Sequence, residues 1–216
     1  MRSLYISLLS TLLITGCTTA VVGGVSAVGL GALEERSLGD NLDDRSISAE
    51  IHQLYLKENV ESLLKDVSIR VHEERVLLTG KTATPAVALE AVRLAWQAAG
   101  VREVINEIHV GEDGTSLLNY AQDNLIETQI EARLLGTKEI NSLNYTVEVV
   151  DGTAYMLGVA QDEQERHNAA YIASITNGVQ RVVSYVRLKD DPRRLSVTGK
   201  LRGDDKAQPS RDNVYE

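Results

Sequence analysis

Between Ile69 and Leu78 apolar and polar residues alternate on either side of a short polar break. Ile69 and Val71 precede the break at His72 to Arg75, and Val76, Leu77 and Leu78 follow it. A period of two interrupted by a turn predicts a β-hairpin. The pattern then becomes helical. Thr84-Pro85 supplies a cap and a first-turn proline, and the alanines at 88, 91, 95 and 99 form a slim stripe that lets a helix lie close on a sheet. Gly100 suits the left-handed position just past a helix end. Alternation returns from Val104 to Val110 as a third strand.

The same succession occurs twice. Displacing the chain by 78 residues lays the segment from Ile69 to Ile108 over that from Val147 to Val186 without a gap, with Gly80 on Gly158, Ala91 on Ala169, Ala95 on Ala173, Gly100 on Gly178 and Val104 on Val182. In the second copy the turn is Asp151-Gly152, a strong hairpin signal because the tight turn needs positive φ at both central residues. Asp162 to Glu165 makes a capping-box-like helix start, and Val182 to Leu188 is the last strand. A further helical stretch lies upstream of each hairpin, near Ile47 to Leu56 and Leu125 to Leu135. Each copy is therefore expected to run α, β, β, α, β, an α+β unit with a three-stranded mixed sheet covered by two helices. The period is too long for a solenoid.

That order resembles the BON domain. The residues that carry the resemblance are Val76 to Gly80 with Gly100-Val101-Arg102-Glu103-Val104-Ile105-Asn106 in copy one, and Gly152 to Gly158 with Gly178-Val179-Gln180-Arg181-Val182 in copy two. From residue 1 to about 190 the layout is similar to that of the dual-BON outer-membrane lipoproteins. The expected boundaries are a lipoprotein signal peptide at 1–16, a lipidated cysteine and Gly-rich tether at 17–45, BON domains at 46–111 and 122–190 around a linker at 112–121, and a disordered polar tail at 191–216.

The leader supports that layout. Arg2 is the only charge before Glu34, and Leu4 to Ile14 is an apolar run too short to cross a bilayer, which takes about 20 residues. It reads as the hydrophobic region of an export signal. Cys17 is the only cysteine of the 216 residues, so it has no partner within the chain. Ile14-Thr15-Gly16-Cys17 resembles the bacterial lipobox, with Ile14 in the place usual for leucine, which implies a covalent lipid on Cys17. Thr18 is not the aspartate that the resemblance associates with inner-membrane retention, so the implied address is the periplasmic face of the outer membrane.

Charge narrows the partners. Only Arg2 of the 22 basic residues lies in the leader, so the mature chain sets 21 basic against 31 acidic residues, a net charge of −10. This excludes a general basic field for nucleic acid. The exception is local: Arg193, Arg194, Lys200 and Arg202 fall between Pro192 and Gly203 with no acidic residue among them. They read as a solvated face of the tail, with contact to an anionic partner as the alternative.

Candidate chemistry is sparse. His52, His72, His109 and His167 have no metal-ligand spacing, and the only cysteine is committed to lipidation. His72, at a turn, is expected at the surface. No nucleophile elbow is present, GEDGT at 111–115 falls short of a calcium loop, and the glycines at 23, 24, 29 and 31 follow no strand and form no dinucleotide fingerprint. The expectation is a non-enzyme without metal or cofactor.

The first helix of copy two carries the most functional content. Ile126, Ile130 and Leu134 share a face that should pack on the sheet. Leu125, Thr128, Ala132 and Leu135 form a second apolar stripe behind it, where a sheet-covering helix normally shows water a polar back. Copy one has Ala49, His52, Gln53 and Leu56 there. The stripe is either a contact surface or buried between the copies. The resemblance implies the former, with Leu125, Thr128, Ala132 and Leu135 binding membrane phospholipid, although Leu125 stands where an aromatic residue is expected, and Gln129 and Glu131 where positive charge is. The alternative is an adaptor for outer-membrane assembly or cell-wall remodelling proteins.

Overall fold

The computed structural model describes residues 38–58, 61–111 and 117–194. In copy one, α1 (Leu38–Lys57) and a short α2 (Glu61–Asp66) precede β1 (Val67–His72), β2 (Arg75–Thr82), α3 (Pro85–Ala95) and β3 (Glu103–Val110). In copy two, α4 (Leu117–Leu135) and a 3-10 turn (Ser142–Asn144) precede β4 (Tyr145–Val150), β5 (Thr153–Ala160), α5 (Glu163–Ser174) and β6 (Arg181–Leu188); a last 3-10 turn covers Pro192–Arg194. Each sheet has its middle strand second in sequence, antiparallel to the first and parallel to the third. The register repeats with the 78-residue shift: Leu78 pairs with Ile69 and Asn106, and Met156 with Val147 and Ser184.

One face of each sheet is covered as the periodicity requires. Ile47, Ile51 and Tyr55 of α1 are buried over the first sheet, and Ile126, Ile130 and Leu134 of α4 over the second. The second helices bury Ala88, Ala91 and Ala95, or Ala169 and Ala173, side chains small enough for the helix backbone to approach the sheet. Ala99 does not continue the stripe: it lies beyond the helix, is exposed, and gives its amide to Glu50. The helices end at Ala95 and Ser174, before the glycines predicted to stop them, because the next turn tightens into bonds such as Gln97 N–H to the Leu94 carbonyl. Gly100 (φ +87°) and Gly178 (φ +95°) instead turn the chain into the last strand.

Both first helices start well before the apolar periodicity does, and a buried aspartate in each early turn has a task there. The Asp44 carboxylate accepts the amides of Glu73 (2.9 Å) and Glu74 (2.8 Å), and Asp123 those of Asp151 (2.8 Å) and Gly152 (3.0 Å). These are the central residues of the two hairpin turns. In copy one both are glutamates with positive φ, 53° and 61°, a costly conformation for a residue with a Cβ. The charge-assisted bonds to Asp44 offset that cost.

The other faces of the two sheets close on each other. Leu77 and Ile105 of copy one form a cluster with Val150, Tyr155 and Leu157 of copy two, flanked by Val183 and Tyr185. Alternation along β2 and β5 divides the labour: Val76, Leu78, Ala154 and Met156 face their own helices, while Leu77, Tyr155 and Leu157 face the other repeat. Each such side chain contributes on the order of 1.5–3 kcal/mol relative to leaving it in water.

Gly80 and Gly158 permit the tight packing of the first two strands. A Cβ at Gly80 would stand 2.0 Å from the Asp66 carbonyl oxygen, and one at Gly158 2.2 Å from that of Asn144. Gly158→Ala should therefore lower stability by at least about 2 kcal/mol, measured as a drop in the urea midpoint. An unchanged midpoint would show that the strands can separate without penalty.

Candidate functional site

With the sheets covering each other, α4 is left with its outer side in water. Leu125 is 65% exposed and Leu135 73%, and Thr128 and Ala132 between them are exposed. The structure thus decides the open question: the stripe is not buried between the repeats. Ala121 is exposed one turn earlier in the same row, which extends it to residues 121, 125, 128, 132 and 135. Thr128 gives its hydroxyl to the Asn124 carbonyl (2.9 Å), so its polar atom is already satisfied within the helix. Gln129 and Glu131 flank the row, both exposed. On the equivalent side of α1, Leu42 and Leu56 are exposed, but His52 and Gln53 interrupt them.

The inner edge of α4 is tied to copy one by charge. The Arg70 guanidinium lies 2.5 Å from Glu148 of β4 and 3.4 Å from Glu127 of α4. One cation therefore serves two carboxylates. Burial, and then the Glu148 charge beside it, push the Glu127 carboxyl up to about 7, with Arg70 acting in the opposite direction. Burial likewise raises Glu148 against the pull of Arg70. Elsewhere across the seam Glu103 receives Arg187 (2.7 Å), Glu73 receives Arg194 (2.6 Å) and Glu107 accepts the Tyr185 hydroxyl.

The model of the BON domain matches the chain twice, at residues 43–112 and 122–190. The chain belongs to the BON domain family. Among its relatives, the "uncharacterized protein in gshII 5'region" of Anaplasma centrale is 39% identical over 148 residues, 68% of this chain and 96% of that protein. "Outer membrane lipoprotein DolP" of Haemophilus influenzae is 27% identical over 190 residues, 88% of this chain and 97% of the other. "Osmotically-inducible protein Y" of Escherichia coli is 29% identical over 155 residues, 70% and 76% of the two chains. The chain is a two-BON-domain protein of the DolP type.

Other expected site residues fare differently. Cys17, Lys200 and Arg202 lie outside the described residues. Arg193 is exposed and holds Asp191 (2.6 Å). Arg194 requires a correction: it is not a solvated tail residue open to a partner but is 2% exposed, forked on Glu73 by bonds of 2.9 and 2.6 Å, because the chain turns back after β6 and seats it against the first BON domain. His72 is also corrected. It is fully buried rather than at the surface, since the neighbouring β4 covers it and brings the Thr146 hydroxyl to 3.5 Å. Among the described residues no group of three or more His, Cys, Asp or Glu is placed to hold a metal ion, and no helix is long and apolar enough to cross a membrane.

The face joining the two BON domains was missed from sequence. Its signal was present in β2 and β5, whose apolar runs nearly lose alternation, the mark of strands buried on both faces. The pairing of Arg70 with Glu127 and Glu148 had no signal, since 57 and 78 residues separate it from its partners. It makes a pH prediction. Because the folded carboxyl of Glu127 titrates near 7 against an ordinary 4.5, the folded chain binds protons better between those values. This contribution is greatest below about 4.5 and is lost as pH rises through 7. Asp191, held down to about 2 by Arg193, changes only below that window. The thermal midpoint should fall from pH 5 to pH 8, and Glu127→Gln should flatten the fall; an unaltered slope would refute the assignment.

Proposed function

We propose that the protein is an outer-membrane-anchored periplasmic lipoprotein that touches phospholipid through α4 of its second BON domain and helps maintain the cell envelope. Its role is binding rather than catalysis, and its only attached group is the covalent lipid on Cys17. The observation that carries this reading is the bare stripe of Leu125, Thr128, Ala132 and Leu135 on a helix whose opposite face already fills its core. Anchoring is supported by Ile14-Thr15-Gly16-Cys17 behind an apolar leader, and by similarity over 88% of the chain to a protein named as an outer membrane lipoprotein.

Magnitudes explain why an anchor and a stripe belong together. Withdrawing two mostly exposed leucines from water gains on the order of 1–2 kcal/mol each. A millimolar complex already requires about 4.1 kcal/mol, so the stripe alone binds weakly. Two or more acyl chains hold a protein stably at a bilayer, and the tether then makes the helix contact intramolecular. With −10 on the mature chain and Gln129 and Glu131 beside the stripe, the contact is apolar insertion rather than attraction to anionic headgroups.

A second reading, an adaptor for envelope proteins, is favoured by one observation: Leu89 (70% exposed) and Trp96 (52%) lie seven residues apart on or just beyond α3 of the first domain, and tryptophan is enriched at protein interfaces. Titrating a chain that begins at Thr18, and so keeps both cores, with phospholipid micelles separates the two. Amide shifts from Leu125 to Leu135 that vanish in Leu125→Glu support lipid contact; shifts absent there, or unaffected by the substitution, refute it. Cys17→Ser should release the full-length chain from the membrane fraction, and complete retention would defeat the anchoring claim.

A further inference from the structure

Where the chain leaves β6 and returns to the first domain, a cavity of about 260 Å³ opens between the repeats, lined by Glu73, Arg75, Arg102, Glu103, Arg187, Arg193 and Arg194. This volume would hold roughly eight water molecules. Five guanidinium groups against two carboxylates is an unusual lining for a chain with an acid excess.

The internal pairings do not use that charge up evenly. Glu73 is matched to Arg194, fork on fork. Glu103 serves two cations through a single oxygen, receiving Arg75 Nε at 2.9 Å and Arg187 Nη2 at 2.7 Å. Arg102 stands 3.7 Å from Glu74, beyond a close ion pair, and Arg193 is held by Asp191 on the outer side. Counting Glu74 and Asp191 with the lining, five cations face four carboxylates, with the surplus at the Arg75–Glu103–Arg187 group. Arg75 is 4% exposed, and burial, then the neighbouring Arg187 charge, lower its pKa against the opposing pull of Glu103 and Glu73. A buried guanidinium and a partly buried one beside an open cavity gain from a third, negative body.

We propose that this cavity is an anion site for a phosphate group, bound by Arg75, Arg102 and Arg187. Guanidinium forks match tetrahedral phosphate oxygens with paired N–H bonds, and each group has five donors to divide between Glu103 and a ligand. The site draws on β2, the start of β3, β6 and the segment after it, so it exists only when the two domains are packed together. It does not depend on α4 touching lipid.

The test is titration of the full-length chain, in neutral maltoside micelles, with sodium phosphate at ionic strength fixed by chloride, following the arginine Nε–H resonances. Saturable shifts at Arg75, Arg102 and Arg187 are expected, weakened about tenfold in Arg102→Gln, whose exposed side chain should leave folding intact. Glu103→Gln, which removes a competing carboxylate, should bind at least as tightly. Shifts that grow without saturation, that acetate reproduces at equal concentration, or that persist unchanged in Arg102→Gln overturn the proposal. Doping the micelles with phosphatidylglycerol distinguishes the source: displacement of inorganic phosphate assigns a lipid headgroup, and lack of displacement assigns a free phosphate.

Discussion

A three-stranded sheet has two faces, and each repeat of this chain has helices for only one. The strands Arg75–Thr82 and Thr153–Ala160 carry apolar side chains on both, so an isolated repeat would expose Leu77 and Ile105, or Tyr155 and Leu157, to water. Closing the two bare faces on each other satisfies both with one contact, and most of the remaining architecture follows from it. The helices are driven to the outside of the pair. Charged side chains along the strands meet across the seam, where Arg70, Glu103, Glu107 and Arg187 find partners in the other repeat. The chain after β6 must then pass the first domain, where Arg194 is captured by Glu73.

The repeats resemble each other in fold but divide their work. Asp44 and Asp123 do the same thing in each copy, clamping a hairpin turn from the helix above. The turn itself differs. Asp151-Gly152 adopts positive φ at little cost, whereas Glu73-Glu74 does so against its own sterics. The first copy's turn supplies the buried carboxylate that receives Arg194. That use supports glutamate at a position where the local backbone favours glycine or asparagine. The outer sides of α1 and α4 diverge in the same manner, one interrupted by His52 and Gln53 and the other an unbroken row from Ala121 to Leu135.

Much of this was legible in the chain as written. A 78-residue repeat, period-two and helical patterns, hairpin glycines and the order αββαβ all arise from local interactions, and local chemistry is what a linear string records. The inward and outward faces of α4 were equally readable, because helical geometry alone separates Ile126, Ile130 and Leu134 from Leu125, Thr128, Ala132 and Leu135. The first turns of α1 and α4 were not. Their reason lies in Asp44 and Asp123 reaching residues about 29 positions away.

Whether the outer row of α4 met water, and whether Arg194 and His72 did, depended on how one domain lies on the other. Residues such as Arg70 and Glu148, or Glu73 and Arg194, carry no local mark of their pairing, since an ion pair across 78 or 121 residues leaves neither period nor spacing. The sequence by itself determined two copies of one small fold and a helix with two apolar faces. Only the tertiary structure decided that the outer face stayed bare, because the sheets, once covering each other, leave no other surface to conceal it.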